Sequence, residues 1–281
     1  MPCCRSRFAV SCAPVDIVTR LSRSPGSLHR VMIKAITFDL WDTVIHDDSD
    51  EAKRAAQGLS SKKNARRELA LAVLARHGPV DESALGIAYD TMEAAFNHVW
   101  HDQHVTWTVG ERVSVLLEGL GRTLPDNHRE ELVRGLEEME VTVPPNPIDG
   151  IAEAIAALAG SYKLGVVSDA IYSPGRCLRQ WLEMHDLIQH FDGFAFSDEV
   201  GHSKPHRDMF ASVALQLGVE IHDMLHIGDR DHNDIKGPHA LGMKAVLFTA
   251  TRDRDKDNTT ADAVCARAAD LPDTVHRVDG G

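Results

Sequence analysis

The stretch IKAITFDLWDTVIHD, residues 33–47, decides the fold of this chain. A mainly apolar run from Ile33 to Phe38 has the length of a buried strand, and Asp39 follows it directly. In an open α/β sheet, ligands bind outside the carboxyl ends of the strands. We therefore expect Asp39 to lie at the rim of a sheet, where it is available for chemistry.

Composition excludes several classes of protein. The 281 residues carry a net charge of −12, which argues against a surface that binds the phosphate backbone of nucleic acid. No apolar run approaches the roughly 20 residues that a membrane span requires, so no membrane partner is expected. The five cysteines are odd in number and their spacing matches no zinc site, which favours a reduced, cytoplasmic setting.

The first 30 residues differ from the rest of the chain. Residues 1–30 hold five arginines against one aspartate, a local balance of +4. A transit peptide and a disordered basic arm are two interpretations of such a segment. The third, which we favour, is that residues 1–30 lie upstream of the true start, because Met32 stands directly before the first strand.

Two patterns divide the remainder. Residues 49–143 have apolar residues at three- and four-residue spacing throughout, which predicts an inserted, all-helical cap domain. The link VPPNPIDG, residues 143–150, ends this insertion because each proline restrains its own φ and disfavours helix in its predecessor. Strands and helices then alternate. This predicts an α/β core domain, residues 31–48 and 144–281, built on a doubly wound parallel sheet.

Two further features are expected to serve structure only. The charged run RDRDKDN, residues 252–258, is interpreted as a solvated loop. Trp100 and Trp107 are expected to pack inside the helical cap, with stacking on a substrate as the alternative.

Polar side chains follow other predicted strands besides the first. Ser168 and Asp169 end one strand, and Asp229 ends another. Asp234 comes five residues after Asp229, at the start of a helix, and Lys204 precedes Pro205. Loops at the carboxyl ends of parallel strands can converge on one crevice, so we expect these side chains to form one site.

This set of residues suits phosphoryl chemistry. Carboxylates alone would repel a phosphate, so a hard cation must lie between them, and Mg²⁺ suits all-oxygen ligation. Asp39 and Asp229 can hold the metal while Asp39 attacks phosphorus. Lys204 and the Ser168 hydroxyl can then bind the transferring oxygens.

The sequence resembles the haloacid dehalogenase (HAD) superfamily over residues 33 to about 272. Its four motifs occur in order, as FDLWDT, VVSDA, SKP and GDRDHND. The resemblance implies a Rossmann-like core with a helical cap and, for most members, phosphatase activity. The roles it implies are a nucleophile at Asp39, a phosphate-contacting hydroxyl at Ser168, the motif lysine at Lys204, metal-binding acids at Asp229 and Asp234, and a metal-binding backbone carbonyl at Trp41. Thr43 and Asp169, beside these motifs, are predicted to bind substrate.

One position departs from the family pattern. Trp41 stands where family phosphatases usually carry the aspartate that protonates the leaving group, and Trp cannot transfer a proton. Asp42, where the family usually has glycine, is the leading internal replacement, against a structural role that orients the loop. A cap histidine, His98, His101 or His104, is the other candidate, against solvated or packing histidines.

The expected function is a Mg²⁺-dependent phosphatase that acts on a small phosphorylated metabolite through an aspartyl phosphate. A 2-haloacid dehalogenase is the first alternative, because those enzymes share the departure at Trp41; they need no metal, however, and generally lack the acid that corresponds to Asp229. A binding protein that lost catalysis is the second alternative. A homodimer is left open.

Overall fold

The computed structural model describes residues 32–280. The prediction for residues 1–30 falls outside the described residues. Within them, no helix has both the length and the apolar character needed to cross a membrane.

Six parallel strands form one sheet in the order β3-β2-β1-β4-β5-β6. Phe38 of the central strand β1 lies opposite Val166 on one side and Ile227 on the other. The strand order reverses beside β1, which is where doubly wound sheets open a crevice. The predicted fold class is therefore confirmed. The strands are β1 (Ala35–Phe38), β2 (Lys163–Ser168), β3 (Gly193–Phe196), β4 (Met224–Gly228), β5 (Lys244–Phe248) and β6 (Ala263–Cys265).

Helices cover both faces of the sheet. On one face, Ile155, Leu178 and Val275 pack with the strands in one apolar cluster. On the other face, Phe210 and Val213 pack against the strands in a second cluster. Strands buried on both faces are typical of parallel sheets. The core helices are α7 (Ile151–Ala159), α8 (Gly175–Met184), α9 (Ser197–Val200), α10 (Arg207–Leu217), α11 (Gly237–Ala240) and α12 (Leu271–Gly280).

Six helices stand between β1 and α7, and we call them the helical insertion. Four of its long helices share an apolar cluster that includes Leu74, Met92, Leu116 and Leu132. A capping box begins one of these helices, with the Thr108 side chain paired with Glu111, three residues later in the sequence. The limits of the insertion as a separate domain stay a prediction. The helices are α1 (Ser49–Ala56), α2 (Lys62–Ala75), α3 (Glu82–Gln103), α4 (Val109–Gly119), α5 (Asp126–Glu137) and α6 (Met139–Thr142).

The segment after β4 differs from a regular α-helix. Asp231–Lys236 forms a π-helical turn, and α11 follows it at Gly237. π-Helical turns are frequent at functional sites. Here the turn carries Asp234 to the end of β4.

Candidate active site

The carboxyl ends of the three central strands meet at one place. Asp39 follows β1, Ser168 ends β2, and Asp229 follows β4. The Asp39 backbone N–H donates to the Ile227 carbonyl at 2.9 Å, so pairing of β1 with β4 continues to the nucleophile position. The strand register therefore brings these three predicted residues to one rim.

Lys204 lies among the carboxylates. Its Nζ is 2.9 Å from Asp39 Oδ1 and 2.7 Å from Asp234 Oδ1, and its backbone N–H donates to Asp169 Oδ1 at 2.9 Å. The contact with Asp39 is an ion pair without hydrogen-bond geometry. The Lys204 side chain is only 2% exposed, and burial alone would lower its pKa. The three surrounding carboxylates outweigh burial and raise the pKa of Lys204, so the side chain is a fixed cation.

Asp234 is bound by hydrogen bonds on both oxygens. Oδ1 accepts from Lys204 and lies 3.1 Å from His226 Nε2, and Oδ2 accepts the Arg230 backbone N–H at 3.0 Å. Burial would raise the pKa of Asp234, but Lys204 and His226 lower it below its ordinary value. Gly228 allows this approach, because a Cβ on it would lie 2.3 Å from Asp234 Cγ. Asp234 is therefore held ionised and immobile.

His226 is a site residue that sequence reasoning missed. It is fully buried on β4, with Thr37 Oγ1 2.8 Å from its Nδ1 and Asp234 beside its Nε2. Burial lowers the pKa of His226. This assigns a neutral ring that accepts at Nδ1 and donates from Nε2 to Asp234. A single histidine inside a strand pattern was no signal by itself, because its partner is eight residues away.

Asp229 pairs with an arginine that the sequence interpretation did not assign to the site. Arg252 Nη1 donates to Asp229 Oδ2 at 3.0 Å, so the first residue of the charged run at 252–258 belongs to the site. Burial, followed by the charges of Asp234 and Asp39, raises the pKa of Asp229 to about 7 despite Arg252. Asp229 is therefore the carboxylate of the cluster that most needs a further cation.

The carboxylates fit a divalent metal ion. Asp39, Asp229 and Asp234 each offer an oxygen within 4.8 Å of the others. Oδ1 of Asp39 and Oδ1 of Asp229 are buried without a hydrogen-bond partner among the described residues. Oδ1 of Asp39 has the ion pair with Lys204, but its desolvation and that of Asp229 remain costly, and a hard cation coordinated by both would lower that cost.

Trp41 and Asp169 are joined by a hydrogen bond. Trp41 Nε1 donates to the Asp169 carbonyl at 3.1 Å, which holds the indole against the end of β2. Burial raises the pKa of Asp169 to about 6, although Lys204 acts in the opposite direction. Asp169 is therefore easier to protonate than an exposed aspartate. Ser168, its neighbour, is fully buried with a hydroxyl that has no partner among the described residues.

Asp42 occupies a turn. Its φ is 54°, a left-handed conformation that Asp tolerates better than most residues. Its carbonyl accepts from Thr251 Oγ1 at 3.0 Å, and its N–H donates to the Ile45 carbonyl at 2.7 Å. Thr43, next along the turn, is fully buried, and its hydroxyl has no hydrogen-bond partner within residues 32–280. Neither residue lines the cavity described below, so their predicted roles stay predictions.

A cavity of about 250 Å³ opens beside Asp39, Asp169 and Lys204, which line it. The core contributes one part of its wall and the helical insertion, with its linkers, the other. Trp100 lines it, whereas none of His98, His101 and His104 does. The expectation that Trp100 packs only within the cap is therefore incomplete. The core residues are Asp39, Trp41, Asp169, Ile171, Tyr172, Lys204, Arg230 and Asn233, and those of the insertion and linkers are Asp47, Asp48, Lys62, Arg66, Trp100 and Glu140.

Lys62 joins both linkers of the insertion. Its Nζ lies 3.1 Å from Asp48 in the outgoing linker, 3.0 Å from Asp50 in α1 and 3.0 Å from Glu140 in the returning α6. Asp47 is a fourth carboxylate at 3.8 Å. Burial would lower the pKa of Lys62, but these acids raise it. Lys62 therefore stabilises one wall of the cavity.

Comparison with known proteins gives the same assignment as the geometry. The family model for haloacid dehalogenase-like hydrolases matches residues 33–242. A glyceraldehyde 3-phosphate phosphatase of Methanothermobacter thermautotrophicus is 29% identical over 224 residues, which cover 78% of this chain and 87% of the relative. A phosphoglycolate phosphatase of Escherichia coli K12 is 32% identical over 100 residues, 35% of this chain and 38% of the relative.

Solved structures share the fold. A 2-haloacid dehalogenase from Pseudomonas syringae pv. Tomato DC3000 has a TM-score of 0.60 at 20% identity, over 88% of this chain and 99% of that chain. A HAD hydrolase from Bacillus subtilis bound to magnesium has a TM-score of 0.53 at 20% identity, over 87% of this chain and 99% of that chain. With the four motifs converged at one rim and the family model matching most of the chain, the protein belongs to the haloacid dehalogenase-like hydrolases.

Proposed function

We propose that the protein is a Mg²⁺-dependent phosphatase that hydrolyses a small phosphomonoester through an aspartyl phosphate. The observation that carries this proposal is the buried pair Asp39 and Asp229. Among the described residues, Oδ1 of Asp229 has no hydrogen-bond partner, and Oδ1 of Asp39 has only its ion pair with Lys204. A cation between these oxygens and a phosphoryl group would satisfy both carboxylates. The phosphatases named among the relatives support the same reaction.

The residues of the chain divide the reaction into two displacements. A carboxylate oxygen of Asp39 attacks phosphorus, the bond between phosphorus and the leaving oxygen breaks, and the leaving oxygen takes a proton. Water then attacks the same phosphorus, and the bond between phosphorus and the Asp39 oxygen breaks. Inorganic phosphate leaves with the oxygen and the protons of the water, and Asp39 is again a carboxylate. Lys204 and Ser168 bind the phosphoryl oxygens, whose charge grows in both transition states. Mg²⁺ would be held by Asp39, Asp229 and Asp234, with the Trp41 carbonyl as the fourth ligand that the resemblance implies, and would supply further neutralisation of that charge.

The proton for the leaving oxygen has an unusual source. Trp41 cannot supply it, and neither Asp42 nor His98, His101 or His104 is among the cavity-lining residues in the described part of the chain. Asp169 lines the cavity beside Lys204, and burial raises its pKa to about 6, so we infer that it is the donor. General acid help is worth about 10²–10⁴-fold, so good leaving groups are expected to react fastest.

The test is hydrolysis of 4-nitrophenyl phosphate, which needs little protonation of its leaving group. We expect release of 4-nitrophenol that depends on Mg²⁺ and is abolished by Asp39→Asn. Asp149→Asn serves as the matched control, because Asp149 is exposed and does not line the cavity. Absence of Mg²⁺-dependent release by the wild-type protein would refute the proposal.

The dehalogenase alternative is favoured by one observation, the tryptophan at position 41. A halide leaves without a proton, so such an enzyme needs no acid there. Release of halide from a 2-haloacid in the presence of a chelator, without hydrolysis of the aryl phosphate, would establish it. We prefer the phosphatase because Asp229 and Asp234 cluster with Asp39, and three clustered carboxylates are costly without a cation.

A further inference from the structure

Two cations of helix α2 line the cavity, and their surroundings differ. Lys62 and Arg66 are four residues apart and therefore lie on one face of the helix. Lys62 has three carboxylates within 3.1 Å, so its charge is compensated within the chain. Arg66 donates no hydrogen bond to any residue in the range 32–280, and its ion-pair contact is a long one, with Glu140 at 3.8 Å. Arg66 is thus the cation on this wall that has capacity for a ligand.

Glu140, the carboxylate beside Arg66, already accepts hydrogen bonds from other residues. Glu140 Oε1 lies 3.8 Å from Arg66 Nη2, beyond hydrogen-bond distance. The same oxygen accepts from Lys62 Nζ at 3.0 Å, and Oε2 accepts from the Ser173 hydroxyl. The Arg66 side chain is only 15% exposed, which limits how much water can satisfy its donors. A mostly buried guanidinium with unused N–H groups carries a desolvation cost that a bound anion would remove.

Tyr172 holds Arg66 in a defined orientation. The guanidinium carbon of Arg66 lies 3.4 Å from the centre of the Tyr172 ring. The Tyr172 hydroxyl lies 3.0 Å from that of Tyr89 and donates to Glu93 at 2.6 Å, so the ring itself is fixed. Stacking uses the face of a guanidinium and leaves its edge, with the fork of N–H donors that matches a carboxylate, for another group.

A second arginine on the same ring provides an internal comparison. Arg112 lies 3.9 Å from the Tyr172 ring centre, but both of its Nη atoms donate, to the Ile171 carbonyl at 2.7 Å and to Glu93. Arg112 is buried and does not line the cavity. Arg112, which stacks on Tyr172 in a purely structural role, thus has protein partners for both Nη atoms. Arg66 lacks those partners and faces the cavity.

We propose that Arg66 binds a carboxylate on the leaving group, so that the preferred substrates are phosphomonoesters of small hydroxy acids. This inference rests on the proposed phosphatase function. A carboxylate suits the site better than a second phosphate, because the cavity holds only about 250 Å³ and Asp47, Asp48 and Glu140 also line it. A dianionic group would be repelled by these acids, whereas a single charge is matched by one guanidinium.

The test compares two esters that differ at one group. The substrates are 2-phosphoglycolate and ethyl phosphate, which share the phosphoryl group and the adjacent methylene, with 4-nitrophenyl phosphate as the reference. Wild type is compared with Arg66→Met, which removes the charge, and Arg66→Lys, which keeps the charge without the fork. Arg67→Met is the matched control, because Arg67 pairs with Asp90 and does not line the cavity.

We expect Arg66→Met to lower kcat/KM for 2-phosphoglycolate by about 10- to 100-fold, mostly through KM, as for the loss of a bidentate charged contact. For Arg66→Lys, kcat/KM for 2-phosphoglycolate should lie between the values for the wild type and Arg66→Met. For ethyl phosphate and 4-nitrophenyl phosphate, kcat/KM should change less than about twofold. An equal fall in kcat/KM for all three esters, or no change for 2-phosphoglycolate, would overturn the assignment of Arg66. The phosphatase proposal would still stand if the protein hydrolyses 4-nitrophenyl phosphate. A wild-type protein that does not hydrolyse 4-nitrophenyl phosphate would overturn both.

Discussion

Lys62→Met is the substitution that most directly tests how the two linkers are held. The side chain of Lys62 is 6% exposed, and Asp50 beside it is fully buried. Neither carboxylate oxygen of Asp50 has a hydrogen bond of good geometry among the described residues, so its 3.0 Å contact with Lys62 is the compensation of its charge. Methionine keeps the length and removes the cation. The substitution therefore leaves Asp50 and Glu140 as buried anions without their principal partner.

The expected cost follows from the distances. An ion pair at 3.0 Å is worth about 5 kcal/mol at an effective dielectric constant of about 20, before desolvation and repulsion among the acids. Removing one partner of a buried pair costs about 3–5 kcal/mol of the free energy of unfolding. The loss has an upper limit, because an unpaired carboxylate can instead take up a proton, at about 1.4 kcal/mol per unit of difference between the pH and its pKa. For a chain of this size, about 3–5 kcal/mol corresponds to a fall in Tm of about 6–20 °C.

The pH dependence has a defined sign. In the wild type, the raised pKa of Lys62 means that its stabilisation is complete below its ordinary value of 10.5 and is lost only as the pH rises above it. Burial raises the pKa of Asp47 to about 6 although Lys62 acts in the opposite direction, so in Lys62→Met this carboxyl should take up its proton at a higher pH, and the deficit should be smaller near pH 5 than near pH 8.

Urea denaturation at pH 5 and pH 8 measures both effects. Lys63→Met is the matched control, because Lys63 is exposed on the same helix. Asp50→Asn in the Lys62→Met background should recover part of the lost free energy of unfolding, since it removes one of the stranded charges. A loss below about 1 kcal/mol, or a loss equal at the two pH values, would refute the reasoning.

Two further predictions concern the proposed active site. Since burial raises the pKa of Asp229 to about 7 and Mg²⁺ binds the ionised carboxylate, calorimetric titration should give a Mg²⁺ affinity about tenfold higher at pH 8 than at pH 6. Asp229→Asn should flatten this dependence, and a wild-type affinity that does not change with pH would contradict the assignment. Since Trp41 cannot donate a proton, the ratio of turnover for 4-nitrophenyl phosphate to that for ethyl phosphate should be large in the wild type, and Trp41→Asp should reduce it by about 10²-fold. Equal ratios in the two proteins, measured on folded samples, would show that position 41 does not limit protonation of the leaving group.

Much of the fold was predictable because it depends on local patterns. An apolar run that ends in a carboxylate, followed later by alternating strands and helices, predicts a parallel sheet, and the six observed strands confirm it. Capping signals such as Thr108 and Glu111 act within one helical turn, so they are visible in the sequence. The π-helical turn Asp231–Lys236 was harder to predict from the sequence, because it depends on where Asp234 must lie rather than on helix propensity.

The sequence by itself determined which residues line the rim of the sheet. Asp39, Ser168 and Asp229 follow strands, and the rule that parallel strands present their carboxyl ends to one crevice brings them together. The family match confirms the hydrolase assignment that these motifs indicated. Their catalytic roles stay predictions, which the assays above test.

Only the tertiary structure decided what surrounds these residues. Arg252 reaches Asp229 across 23 positions, and His226 reaches Asp234 from inside a strand. Lys62 and Arg66 have the same charge and the same helix face, yet one is saturated by carboxylates and the other is free of hydrogen bonds within the described residues. Such differences depend on which side chains from distant segments lie within about 3 Å, and no local pattern encodes that distance.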